Sequence, residues 1–175
     1  MLDEITRLLK DKIKSLLNHL RGKKTIPRQF FSHEQLHEHL LINFRCKNED
    51  IYLADKKFYS VDFSIFKRWS DETVEEIKRE FGAWSEDAFD CEDFARAYKV
   101  EMTKRFRHEF PDKKAGILCG EIWSWYWIKS ESRVQTAHAV NFFYDTERQK
   151  LMLVEPQNGN VFELPDKWNP YLLIA

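Results

Sequence analysis

The stretch CEDFARAYKVEMTKRFRHEF, residues 91–110, runs directly into Pro111 and then into four segments of strand character. That succession restricts the fold more than any other feature of the chain. The first stretch is helical in pattern, and Pro111 cannot continue a helix because it lacks the backbone N–H and crowds the preceding turn. The segments AGILCGEIWSWYWI, QTAHAVNFFYD, KLMLVEPQ and NVFEL that follow are rich in β-branched and aromatic residues. Earlier segments read mostly as helices, so the order is helices first and strands afterwards. This predicts an α+β fold with the Cys91 helix packed on an antiparallel β-sheet and further helices on its N-terminal side.

Residues 2–21 carry an apolar stripe at Leu2, Ile5, Leu8, Leu9, Ile13, Leu16, Leu17 and Leu20, the spacing of an amphipathic helix. With the connector RGKKTIPRQ it sets off a segment 1–28 from a domain spanning 29–175. Docking of this helix on its own domain is the expectation; membrane contact is the lesser reading, because Asp3, Glu4 and Asp11 dilute its basic face. Within the domain a short helix is expected over 33–42, then strands in DIYLAD and KFYSVDF. A further helix in SDETVEEIKREFGAW would be capped by Ser70 or Asp71 and stopped near Gly82.

The formal net charge of -1 gives no basic footprint for nucleic acid. No apolar run approaches a membrane span, and the charged N-terminus does not resemble a secretory signal. Cys46, Cys91 and Cys119 are odd in number and widely spaced, which suits a reducing, cytoplasmic setting better than a disulfide framework.

Asp90 is a good N-cap, and Glu92 and Asp93 supply an acidic first turn, so Cys91 falls at the helix start. Taken alone, that favours a small buried thiol in a capped helix. The next strands shift the balance. HAVNFFYDTERQKLMLVE reads as a hairpin, and centring its turn on Thr146 and Glu147 sets His138 opposite Glu155. A carboxylate there would fix the imidazole tautomer, the part played by the third member of a nucleophile triad.

The stretches DCEDFA, HAVNFF and VEPQNG resemble the papain-like cysteine peptidase superfamily and its transglutaminase-like branches. The nearest resemblance is to the cysteine-protease domain of fungal galactose-binding agglutinins and related bacterial and phage proteins. It implies a cysteine-dependent amide hydrolase, in the first instance a peptidase acting on a peptide or protein substrate. Cys91 would be its nucleophile, His138 its base and Glu155 its orienting acid. It further implies calcium beside the site, with Asp93 and Gln157 as ligands, and Trp84 as an oxyanion donor. A transglutaminase or a peptidoglycan amidase would share the triad.

A non-catalytic binding module on the same scaffold, in a phage or secretion setting, is the reading from another class. A third is a zinc peptidase, since HEQLH at 33–37 matches the H-E-x-x-H pattern with His33 and His37 on one helix face. Against it, Ser32 and Gln35 form a capping box, and no third ligand follows at a familiar spacing. The segment EIWSWYWI reads first as a core strand and second as an aromatic-lined groove.

Overall fold

The computed structural model describes residues 29–82, 89–127 and 135–175. The expected N-terminal helix and connector, with their docking or membrane role, lie outside the described residues, and so does Trp84.

The described chain begins with strand β1 (Gln29–Ser32) and helix α1 (His33–Phe44), followed by the short strands β2 (Ile51–Tyr52) and β3 (Lys57–Ser60). Helices α2 (Phe63–Phe81) and α3 (Cys91–Glu109) come next. The remainder is β4 (Gly116–Ile117), β5 (Cys119–Trp127), β6 (Gln135–Asp145), β7 (Lys150–Val154), β8 (Val161–Phe162) and β9 (Asn169–Ile174).

Six strands form one sheet in the order β2-β9-β5-β6-β7-β8, and three form another in the order β1-β3-β4. The architecture therefore mixes helices with two sheets, not helices with a single antiparallel sheet. Strands β2 and β9 pair in parallel, as do β3 and β4. Reading elements in chain order misses this, because each parallel pair joins segments far apart in sequence.

The large sheet is covered on both faces, and strand alternation sorts its side chains between them. Val140, Phe142, Leu151 and Leu153 meet Leu36, Leu40 and Phe44 of α1. Phe143, Met152 and Val154 meet Phe66, Trp69 and Ile77 of α2 and Phe94, Tyr98 and Met102 of α3. Phe66 stacks on Phe143 with ring centroids 3.7 Å apart.

Local capping explains several boundaries. Ser32 Oγ accepts from the Gln35 amide, and the Gln35 side chain accepts from the Ser32 amide, closing the capping box at the start of α1. Helix α2 starts at Phe63 with Asp62 as N-cap, seven residues before Ser70, which is fully buried within the helix. Ile65, Phe66, Trp69, Thr73, Val74 and Ile77 make its buried face at helical spacing, so the aromatic segment before Ser70 continues the helix. It stops at Gly82, whose φ of 83° suits glycine. Helix α3 spans Cys91–Glu109 with Phe110 as C-cap, immediately before Pro111. No helix among the described residues is long and apolar enough to cross a membrane.

Candidate functional site

Cys91 is the first residue of α3, and Asp90 Oδ1 caps the helix by accepting from the Glu92 amide at 3.1 Å. The thiol thus sits where amide N–H groups and the helix dipole favour negative charge. Asn141 of β6 ties this helix to the sheet: its Nδ2 donates to the Ala95 carbonyl at 2.9 Å and to the Gly120 carbonyl at 3.1 Å. Asn141 is fully buried, so these bonds fix α3 against β5 and β6.

His138 lies three residues before Asn141 on the same strand. Its Nε2 lies 2.7 Å from Glu155 Oε2, and its ring also hydrogen-bonds the Cys91 thiol. Glu155 follows β7 directly. Its other oxygen, Oε1, accepts from the Gln157 amide at 3.3 Å, and its carbonyl accepts from the Gly159 amide at 2.7 Å. Gly159 has φ 75°, so the turn that holds the carboxylate needs a glycine there. The sequence brings Cys91, His138 and Glu155 to one place, as its motifs suggest, although the register differs.

The ladder pairs Asn141 with Val154 and Asp145 with Lys150, two residues away from the register expected with His138 opposite Glu155. Asp145 is the cause. Its Oδ1 accepts from the Glu147 and Arg148 amides, which builds a four-residue loop, Thr146–Gln149, with Gln149 at φ 55°. A shift of two keeps every side chain on its face, and His138 reaches Glu155 beyond the last ladder pair.

Burial alone would lower the His138 pKa; hydrogen bonds to Cys91 and Glu155 outweigh it and lift the value to about 9. The protonated ring therefore stabilises the fold fully below its ordinary pKa of about 6.5, and that contribution is lost as pH rises through about 9. An NMR titration of the His138 ring should give a midpoint near 9. A midpoint at or below the ordinary value would show that the three side chains do not act together.

Aromatic rings flank the centre. The Trp168 ring lies 5.7 Å from the His138 ring, edge to face. Burial first, then the charges of Glu92 and Cys91 at the start of α3, raise the Tyr171 pKa. Tyr171 stacks on Trp125 at 5.0 Å and meets Trp123 at 6.5 Å, and Arg96 lies over the Trp123 ring at 5.4 Å. Trp125 is 37% exposed, so EIWSWYWI is not a core strand throughout. The sequence pattern marks Trp123 and Trp125 but not Tyr171, on β9 beside β5, or Trp168, just before β9.

Among the described residues no group of three or more His, Cys, Asp or Glu side chains gathers as a metal site. The Asp93 carboxylate lies 3.7 Å from the Arg96 guanidinium, a cation that would compete with a metal at that carboxylate. His33 Nδ1 faces the Asp55 carbonyl at 3.3 Å, and HEQLH acts as the capped first turn of α1.

The model of the agglutinin C-terminal family matches residues 63–161, more than half of this 175-residue chain, and the chain belongs to that family. No curated protein matches the chain. Among solved structures, the PSL1a–E64 complex is similar at 20% identity and a TM-score of 0.66, covering 85% of this chain and 52% of its own. The Polyporus squamosus lectin bound to the human-type influenza-binding epitope Neu5Acα2-6Galβ1-4GlcNAc is similar at 19% identity and a TM-score of 0.66, covering 85% and 50%. The chain thus spans about half the length of the solved structures it matches.

These findings correct the expectations drawn from the papain-like resemblance. The family is that of the agglutinin C-terminal model, and the fold is that of the PSL1a–E64 complex and the Polyporus squamosus lectin in place of a papain-like or transglutaminase-like one. The cysteine peptidase, with its peptide or protein substrate, is overturned by the same findings. The physical reason is that DCEDFA, HAVNFF and VEPQNG describe a local constellation. Such constellations recur on unrelated folds, so three short motifs fix neither family nor reaction.

Proposed function

We propose, from membership in the agglutinin C-terminal family, that this chain is a binding module for glycans, with the Cys91–His138–Glu155 centre and its aromatic border as the recognition site. The observation that carries the reading is the set of Trp168, Tyr171 and Trp125 rings beside the polar groups of Glu92, His138 and Glu155. A sugar ring offers a C–H face to an aromatic ring and hydroxyls to carboxylates and imidazole, and this border supplies both kinds of partner. Titration of the full chain with a panel of glycans should change tryptophan fluorescence saturably, and Trp125→Ala should weaken binding by about tenfold or more. An unchanged affinity in Trp125→Ala would remove the aromatic border from the site.

The relay itself favours a second reading of the same residues, with Cys91 a nucleophilic thiol, His138 taking its proton and Glu155 orienting the ring. In reaction with iodoacetamide, sulfur would bond to the methylene carbon as the C–I bond breaks and iodide leaves, the proton staying on His138. Such capture is stoichiometric and compatible with a binding module.

Calcium at Asp93 and Gln157 is part of the proposal only as a weak site, completed by backbone carbonyls and water. Millimolar calcium should then raise the melting temperature, and Asp93→Asn should abolish the rise. A flat calorimetric titration would remove the metal and leave the rest standing. Cytoplasmic residence rests on the three free cysteines and stands as a proposal too.

A further inference from the structure

Strand β9 carries one residue more than β5 where the two pair. Trp123 pairs with Leu172 and Ser124 with Pro170, so Tyr171 has no partner in that ladder. This is a β-bulge, in which the extra residue interrupts the pairing and its side chain is re-aimed. Pro170 beside it has no backbone N–H to give to the ladder, and bulges are among the few places where a sheet accepts proline.

Alternation along the strand shows what the bulge changes. An unbroken ladder would set Tyr171 opposite Ser124, on the face that Ser124 shares with Ile122. Ile122 is buried in one core with Leu36, Leu40 and Phe44 of α1. The Tyr171 ring instead stacks on Trp125 at 5.0 Å and meets Trp123 edge-on at 6.5 Å. Trp123 belongs to the opposite face, where the Arg96 guanidinium of α3 lies 5.4 Å from its ring. The bulge has therefore moved Tyr171 to the face on which α3 lies. Its place along the sheet is also fixed, because Ser124 pairs with Pro170 on one side and with His138 on the other. Tyr171 is half-buried, and among the described residues no group hydrogen-bonds its hydroxyl. Burial and the charges of Glu92 and Cys91 raise its pKa, so the hydroxyl remains a donor into alkaline solution.

We propose that Tyr171 is a specificity-determining residue of the recognition site: the bulge presents its hydroxyl to a bound sugar beside Trp125, where it donates to a hydroxyl oxygen of that sugar. This role rests on the glycan reading of the site and adds the group that selects among glycans. Aromatic packing discriminates little, since every pyranose has C–H faces to offer. A donor at one position does discriminate, because a sugar lacking the matching oxygen leaves that donor desolvated and unpaired.

Fluorescence titration of the full chain with methyl glycosides of galactose, glucose, mannose and N-acetylglucosamine identifies the tightest binder, and its monodeoxy analogues then map the acceptor. One analogue should bind about five- to tenfold more weakly than its parent. Tyr171→Phe keeps the ring and its stack on Trp125. It should bind the parent as weakly as the unmodified chain binds that analogue, no longer distinguish the two, and melt at the same temperature. Equal affinity of Tyr171→Phe and the unmodified chain for the parent would overturn the role of Tyr171 and leave the glycan site standing. So would a loss of affinity in Tyr171→Phe that is the same for the parent and every analogue. No binding of any glycoside by the unmodified chain would overturn the glycan reading and this role with it.

Discussion

His138→Ala is expected to slow alkylation of Cys91 by iodoacetamide at about pH 6 on the order of 100-fold, with little change in melting temperature at alkaline pH. An imidazolium neighbour is the ordinary means of keeping a cysteine reactive in acid, and His138 is the group that hydrogen-bonds this thiol. Its raised pKa of about 9 keeps it charged across that range, so the rate in the unmodified protein should stay high well below neutrality. Glu155→Gln should lie between the two, because a glutamine can still accept from the ring but cannot stabilise its charge. Mass spectrometry after timed quenching reads the rate at Cys91 apart from Cys46, whose thiol burial pushes up to about 11, and the fully buried Cys119. Equal rates in the unmodified protein and in His138→Ala would show that the relay does not activate the thiol.

The second large effect is structural. Asn141→Ala removes the bond that ties the Ala95 carbonyl of α3 to β6 and the bond that ties the Gly120 carbonyl of β5 to β6, and leaves both carbonyls without that donor. Each orphaned group costs about 1–3 kcal/mol, so the loss should be on the order of 3 kcal/mol, or about 10 °C in melting temperature. Because the same bonds position Cys91 against His138, the variant should also lower the His138 pKa towards its ordinary value. A loss of stability with an unchanged His138 titration would mean that Asn141 supports the core but not the centre.

Local signals carried far in this chain. Asp90 as cap and Pro111 as stop mark the boundaries of α3, and Ser32 with Gln35 marks the start of α1. Hairpin parity was legible because strand alternation sorts Phe142 and Leu153 from Phe143 and Met152. The register was not, since the loop is set by the Asp145 side chain bonding two amides, a contact that hydrophobic pairing does not record. Helix α2 begins earlier than its acidic stretch suggests, because Phe63–Trp69 has the aromatic density of a strand at the spacing of a helix. Trp168 and Tyr171 meet the centre through contacts distant in sequence, which no short motif encodes. The family was misread for a related reason: three side chains describe a chemistry, whereas the match over residues 63–161 describes a fold.

The most direct measurement is a paired assay of the purified full chain, scoring retention on an immobilised glycan array and turnover of a mixed peptide pool in the same preparation. The account predicts saturable retention on a subset of glycans, reduced in Trp125→Ala, and no cleavage of the pool. Cleavage that is lost in Cys91→Ala, with no glycan retained, would contradict it.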